Sequence, residues 1–499
     1  MASFTVTNLL DFGTGSLRQA ILDANGLGGA DNILFDPGLS GGTINLTSGE
    51  LLITDDLTIS GLGADFLSVD AGGFSRVFNI DDGDDDNFLD VLLEGLTITG
   101  GGVQALGEEG GGGIFNAENL AVSKSTISGN FSNNTGSISN SGELIVTNST
   151  ISGNLGIFDT GGISNSGKLT VTDSTISANS GYFGIAGISN SGDLTVTNST
   201  ISGNGGRIIG GIYNSGELTV TNSSISGNGS KNIAGISNLG QASVTNSTIS
   251  NNYGEYGGSI GNLGELTVTN STISGNGGLS SSFTNSGELT LTNSTISGNF
   301  SSFGGSITNS GELRLTNSTI SGNAGLSSSV TNYSGGLATV SNTMIAGNMN
   351  YSSYDNTLGD VSGDFTSNGF NLIGDITGST GFDNDLTFAS LGGISIQDVI
   401  DTNLADNGGF TLTHALIPGS PAIDAGNNDD ISALTDQRGA GFDRIVDGNN
   451  DTIAIVDIGA FEVQQQPTSV PESSSMLGLF GLVIVASGSI LRRKLQQKL

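Results

Sequence analysis

The sequence predicts an all-β fold: a parallel β-helix whose coils of ~24 residues each carry three short strands, ended by a C-terminal hydrophobic helix. Three observations carry this reading. The phrase Ser-Thr-Ile-Ser-Gly-Asn, with close variants, recurs through the middle of the chain. Its isoleucines (Ile127, Ile151, Ile176, Ile201, Ile225, Ile249, Ile273, Ile296, Ile320 and Ile345) stand 23 to 25 residues apart, and so constant a period marks stacked units. Within a unit, Gly192-Asp193-Leu194-Thr195-Val196-Thr197-Asn198 alternates apolar and polar side chains, the pattern of a strand. Thr200-Ile201-Ser202 is a second short strand before a Gly203-Asn204 turn, and Gly211-Ile212-Tyr213-Asn214 opens the next coil with a third. No ten-residue stretch inside the repeat has helical periodicity. Ten such coils, at the ~4.8 Å spacing of paired strands, make a rod about 50 Å long.

In chain order, residues 1–115 hold strand-like pieces such as Gly42-Thr43-Ile44-Asn45-Leu46 and Asp56-Leu57-Thr58-Ile59-Ser60 in less regular coils. Residues 16–25 read as a short helix over the open end of the stack, since repeat arrays need atypical terminal units to hide an exposed edge. Residues 116–348 are the regular coils. Residues 349–462 lose the period and become more acidic, as terminal coils and a cap would. Residues 463–472 form a polar linker containing Gln464-Gln465-Gln466-Pro467-Thr468-Ser469. Residues 473–499 end the chain. The stretch 476–491 has no charge and is slightly short for a bilayer span, a length that small residues and snorkelling flanks tolerate. Its basic end is expected on the cytoplasmic side.

Composition excludes several functions. Thirteen Lys and Arg against 47 Asp and Glu give a net charge of −34, a surface that repels phosphate backbones, so no nucleic-acid partner is expected. The absence of Cys removes disulfides, thiolate zinc sites and cysteine nucleophiles. A single His, His414, leaves room for at most one imidazole-dependent mechanism. The alternation around it (Phe410-Thr411-Leu412-Thr413-His414-Ala415-Leu416) makes it a structural strand residue, and no Gly-x-Ser-x-Gly elbow accompanies it.

Asparagine recurs in columns. If Leu194 and Val196 point inward, parity turns Asn198 inward too. Its equivalents Asn148, Asn222, Asn246, Asn270, Asn293, Asn317 and Asn342, with Asp173 as the exception, are then expected to form a structural ladder. A second column follows each isoleucine (Asn130, Asn154, Asn179, Asn204, Asn228, Asn252, Asn276, Asn299, Asn323, Asn348). A third comprises Asn140, Asn165, Asn190, Asn214, Asn238, Asn262, Asn285, Asn309 and Asn332. An amide side chain both donates and accepts, so identical residues stacked one per coil can bond along the rod.

Val470-Pro471-Glu472, a Ser-Ser-Ser run, an apolar stretch and Arg492-Arg493-Lys494 together resemble the PEP-CTERM sorting signal of exported bacterial proteins. The resemblance implies handling by an exosortase-type processing enzyme near the Pro-Glu pair. Ser473 stands where that signal usually has a second Pro. Leu416-Ile417-Pro418-Gly419-Ser420-Pro421-Ala422-Ile423-Asp424-Ala425-Gly426, Asp436-Gln437-Arg438-Gly439 and Asp457-Ile458-Gly459-Ala460-Phe461-Glu462 look like the choice-of-anchor Q region of bacterial β-helix surface proteins. Gly15-Ser16-Leu17-Arg18-Gln19-Ala20-Ile21 and Asn32-Ile33-Leu34-Phe35 resemble the N-terminal part of the same proteins. These resemblances imply a right-handed coil and no established activity. The opening Met1-Ala2-Ser3-Phe4-Thr5-Val6-Thr7 has neither a cationic start nor an apolar run, so no secretory signal peptide is visible. The expectation of export rests on the tail.

Candidate cation sites are read from oxygen-rich runs, because Ca²⁺ prefers oxygen ligands. Glu143, Lys168, Asp193, Glu217, Gln241, Glu265, Glu288 and Glu312 open successive long strands and form a charged column, better read as a solvated row. Asp81-Asp82-Gly83-Asp84-Asp85-Asp86-Asn87 is a dense acidic loop. Asp447, Asn449 and Asp451 place oxygens at alternate positions as a Ca²⁺ loop begins, with Thr452 where such a loop has Gly. No catalytic residue is assigned. Pectin hydrolases of this shape carry Asn-Thr-Asp, Gly-His-Gly and Arg-Ile-Lys, and none of these runs occurs here. The regular coils hold isolated bases only: Lys124, Lys168, Arg207, Lys231 and Arg314. The sequence therefore favours a non-enzymatic, exported rod at the cell surface or in the matrix, sorted or held at the membrane by its C-terminal helix. Its expected partner is extracellular polysaccharide, on which Tyr182, Tyr213, Tyr253 or Tyr256 would stack. The alternative is a polysaccharide hydrolase or lyase of the β-helix class.

Overall fold

A computed structural model describes residues 1–84, 86, 88–103, 110–351, 359–431 and 433–465. Met1–Val463 form one compact unit; of the second, Gln464–Leu499, only the first two residues are described. The first unit is a parallel β-helix. Four parallel sheets of 15, 11, 14 and 15 strands run the length of the stack, each strand pairing with its equivalents one coil before and after. At the usual strand spacing fifteen strands span about 70 Å.

One coil passes through Ile212–Asn214, Glu217–Thr221, Ser224–Ser226 and Gly229–Ser230. The first three are the strands expected from the repeat. The fourth is a two-residue strand, and it builds a sheet of its own, hereafter the glycine sheet. Register is maintained from coil to coil: Leu194 lies opposite Leu218, Val196 opposite Val220 and Ile201 opposite Ile225. Alternation turns these apolar residues inward, where Leu194, Val196, Ile201 and Ile212 are all buried in one core cluster running through the stack.

The Asn198 column departs from the parity expectation. Asn148, Asn198, Asn222, Asn246, Asn270, Asn293 and Asn317 all have φ between 45° and 50°. The long strand ends one residue earlier, at Thr197 in the Asn198 coil. The left-handed turn that follows breaks alternation and sends the amide outward. Asn tolerates this conformation better than other residues bearing a Cβ, which explains its recurrence here. Asn148 and Asn198 are exposed, whereas Asn293 and Asn317 are buried. Asn293 is covered by the returning C-terminal segment and donates to the Thr435 carbonyl (3.0 Å). These residues form a row of corners rather than a hydrogen-bonded ladder.

The ladders run through the other two columns. Asn204 Oδ1 accepts from the backbone N–H of Asn179 (3.0 Å) and from its Nδ2 (3.1 Å), and Asn204 repeats both bonds onto Asn228 Oδ1. Asn190 Nδ2 donates to Asn214 Oδ1 (2.7 Å), and Asn214 to Asn238 (2.9 Å). A third ladder uses the serine that follows each corner residue: the Ser174 N–H donates to Ser199 Oγ, and the Ser199 N–H to Ser223 Oγ, at 3.1 Å each. Buried amides left without partners would each cost about 1–3 kcal/mol, so the ladders keep a polar interior compatible with burial.

Both ends are closed. A helix, Leu17–Asn25, is capped by Ser16, whose side chain accepts from the Gln19 N–H, and it buries Leu17, Ala20, Ile21 and Ala24 against the first coils. At the other end the Asn204 ladder finishes on a carboxylate: Asp360 Oδ1 accepts from the N–H (2.9 Å) and Nδ2 (2.8 Å) of Asn348. A terminal position needs only to accept. Burial raises the Asp360 pKa to about 6. Beyond the last coils the chain turns back and lies along the sheet of the Thr-Ile-Ser strands. A second apolar cluster, including Met344, Leu372, Ile400 and Ile458, holds it there.

Candidate functional site

The sorting-signal residues Val470, Pro471, Glu472, Arg492, Arg493 and Lys494 lie outside the described residues. Among the described residues no helix is long and apolar enough to cross a membrane. The loop of Asp447, Asn449 and Asp451 turns its side-chain oxygens onto its own backbone. Asp447 accepts from the N–H groups of Asp451 (3.1 Å) and Thr452 (2.8 Å), and Asn449 Oδ1 from that of Asp451 (2.9 Å). In the dense acidic loop, one carboxylate oxygen each of Asp81, Asp82 and Glu118 lie within 4.8 Å of one another. Glu118 is buried, which raises its pKa, and it accepts from the Leu89 N–H (2.9 Å). The Glu143 column stacks in register along the surface, where Lys168 pairs with Glu143 at 2.8 Å.

The 436–439 and 457–462 motifs converge, although some twenty residues separate them. Arg438 is bidentate to Asp436 and lies between two rings, 4.0 Å from the Phe442 centroid and 3.8 Å from that of Phe461. Arg444 is fully buried, 3.9 Å from Glu462, and donates to the Gly459 carbonyl. Three carboxyls (Asp436, Asp457, Glu462) thus share a dry site with two guanidinium groups. Burial pushes Asp457 and Glu462 upward, and each repels the ionised form of a neighbouring carboxylate. Gln437 fastens this knot to the rod: its Nε2 donates to Thr272 Oγ1 (2.9 Å), and its Oε1 accepts from Thr295 Oγ1 (2.6 Å). His414 is buried in the same interface rather than in a regular strand. The site is a lock between returning segment and rod.

The accessible site lies on the glycine sheet. The outward positions of two successive two-residue strands are Gly205 and Gly229, and a Cβ at either would meet open space. They make a bare floor. On one side stand Tyr182 and Phe183, with ring centroids 4.7 Å apart in a T-shaped pair, and Phe158 stacks on Phe183 at 5.8 Å. Tyr182 is 64% exposed and Phe158 56%, so the rings are platforms rather than core. One coil beyond the floor, Tyr253 follows Gly229 in strand position and is 55% exposed, with its ring lying over Gly277 of the next coil. Arg207 and Lys231 line the same groove together with Ser180 and Ser230. The Arg207 guanidinium lies 5.5 Å from the Phe183 ring centroid, a distance at which a cation is attracted to the ring face. The Lys231 N–H donates to the Arg207 carbonyl (3.2 Å), so the two bases are adjacent rungs. Tyr213 lies on a different sheet, opposite Ser189 and Ser237.

Of the residues named from the sequence, Tyr182, Arg207 and Lys231 therefore meet in one groove, while Tyr213 and Tyr253 stand outside it. The grouping was available in the numbering: Tyr182, Arg207 and Lys231 are 25 and 24 residues apart, one coil each. Phe158 and Phe183 share a coil position in the same way.

No family model matches the chain, and no curated protein matches it. Among solved structures it is similar to the pectate lyase Pel9A at 14% identity, over 93% of this chain and 97% of that one, with a TM-score of 0.30. It is also similar to PfbA, a surface adhesin of Streptococcus pneumoniae, at 14% identity over 77% and 91%, TM-score 0.35. A third likeness is to the mannuronan C-5 epimerase AlgE6 A-module of Azotobacter vinelandii, at 15% identity over 79% and 98%, TM-score 0.33. Likenesses of this size do not assign a function.

Proposed function

We propose that the protein is an exported, non-enzymatic β-helix rod of the cell surface or extracellular matrix, with a structural or adhesive role in contact with extracellular polysaccharide. The observation that carries the reading is the groove over Gly205 and Gly229. Its floor has no side chains, and its aromatic walls are exposed at a cost in apolar surface that a sugar face would relieve. Serine hydroxyls at Ser180 and Ser230 line it, giving the mixture of apolar platform and polar orienting groups that small-ligand sites use. Export is proposed from the tail, whose likeness to the PEP-CTERM signal makes an exosortase-type enzyme the processing partner and the membrane a transient anchor. The 416–462 segment is proposed to be a choice-of-anchor Q-like region, working as the lock described above.

The test is retention of purified full-length protein on an array of extracellular glycans, beside Tyr182→Ala and Phe183→Ala variants. Binding by the native chain and loss in both variants is the expected result. Binding equal to that of a scrambled-surface control, or release of new reducing ends or unsaturated uronates, would overturn the non-enzymatic binding role.

A further inference from the structure

We infer that the groove is specific for acidic polysaccharide, with an anionic group of one sugar seated between Arg207 and Lys231; this rests on the glycan reading above. The decisive observation is a census of positive charge. Among the described residues there are nine Lys and Arg side chains, and seven of them are ion-paired: Arg18 with Asp11, Arg76 with Glu50, Lys124 with Glu94, Lys168 with Glu143, Arg314 with Glu312, Arg438 with Asp436 and Arg444 with Glu462. Arg207 and Lys231 alone make no ion pair. On a chain of net charge −34, a surface cation without a carboxylate is the exception. Here the two exceptions are neighbours, in the groove that also exposes Tyr182 and Phe183.

Geometry and screening favour an anion at this place. The two bases follow one another by one coil, about 5 Å along the rod axis, so a single carboxylate or sulfate can bridge them. The acidic column of Glu143 and its successors lies on another sheet. At physiological salt, charges more than about 8 Å away are largely screened, and the local pair outweighs the acidic bulk. Glu255 follows Lys231 in the same column by one coil, which sets the anion toward the Arg207 side. An acidic peptide fits less well. The strand Gly205–Gly206 is already paired on both sides, with Ser180–Gly181 and Gly229–Ser230, and offers no edge for strand addition.

The test is affinity electrophoresis of the full chain through gels containing polygalacturonate, dextran sulfate, dextran or poly-L-glutamate. Retention by polygalacturonate or dextran sulfate, the two arms separating carboxylate from sulfate, with none by dextran or poly-L-glutamate, is expected. Arg207→Gln and Lys231→Gln should each weaken retention about fivefold, as the loss of one exposed ion pair does. Tyr182→Ala should weaken it independently, and Glu255→Gln should strengthen it. Equal retention by dextran, with no effect of the base substitutions, would overturn the acidic specificity and leave the glycan reading intact. Retention by poly-L-glutamate as strong as by polygalacturonate would overturn it in favour of an acidic peptide. Retention by none of the four would overturn both.

Discussion

His414 Nε2 lies 2.8 Å from Ser297 Oγ, and the two residues come from chain segments 117 positions apart. The other ring nitrogen, Nδ1, is 2.9 Å from the Asp401 carbonyl oxygen. A carbonyl only accepts, so Nδ1 carries the proton and Nε2 accepts from the serine hydroxyl in the neutral ring. Both side chains are buried, at 3% and 4% exposure, which leaves no approach for a substrate. The pair pins the returning segment to the coil that carries Ser297.

The pin has a pH dependence. Burial lowers the His414 pKa, so the unfolded chain binds a proton that the folded one refuses. Stability from this site is present above the ordinary His value near 6.5 and is lost as pH falls through it, with a slope of up to about 1.4 kcal/mol per pH unit. Urea midpoints at pH 5 and 7, compared between the native chain and His414→Gln, should show an acid loss in the former that the latter lacks. Parallel curves would contradict it.

The alkaline side is governed by the opposite sign. Asp457 and Glu462 are pushed up in the folded state, so their contribution is present at low pH and lost as pH rises through the folded values. Limited proteolysis of the returning segment should accelerate between pH 7 and pH 9.5. Arg444→Met, which removes the buried cation facing these carboxyls, should deepen that alkaline loss, read as a larger fall in the urea midpoint between pH 7 and pH 9.5 than the native chain shows.

The two kinds of asparagine should respond differently. Asn204→Ala removes the acceptor of two Asn179 donors and one donor to Asn228, a loss of about 3 kcal/mol. Asn198→Gly keeps the left-handed corner (φ 49°) and removes no ladder bond, so its stability should change by no more than about 1 kcal/mol. Equal effects would mean that the corner residue carries more than its conformation.

This contrast also marks where the sequence was legible. The 23–25-residue period and the Leu194–Val196 alternation gave the coil, three of its strands and the inward core. Parity failed at Asn198 because a single left-handed residue reverses the side-chain direction, and alternation contains no signal for φ. The glycine-sheet strands escaped because two residues are too few to show a period. The Asp436–Glu462 knot escaped because sequence motifs carry no record of which ones touch. The groove is half legible: Tyr182 is recognisable as an exposed ring, but Arg207 and Lys231 look isolated along the chain and become neighbours only because one coil spans their 24-residue separation.

Hydroxyl-radical footprinting of the full chain with and without polygalacturonate shows whether sugar binds over Gly205 and Gly229. Tyr213, half-buried on another sheet, serves as the internal reference. Tyr182 and Phe183 should be protected, with Tyr213 unchanged. Protection of Tyr213 alone, or no change at Tyr182 and Phe183 under conditions where the polymer is bound, would contradict it.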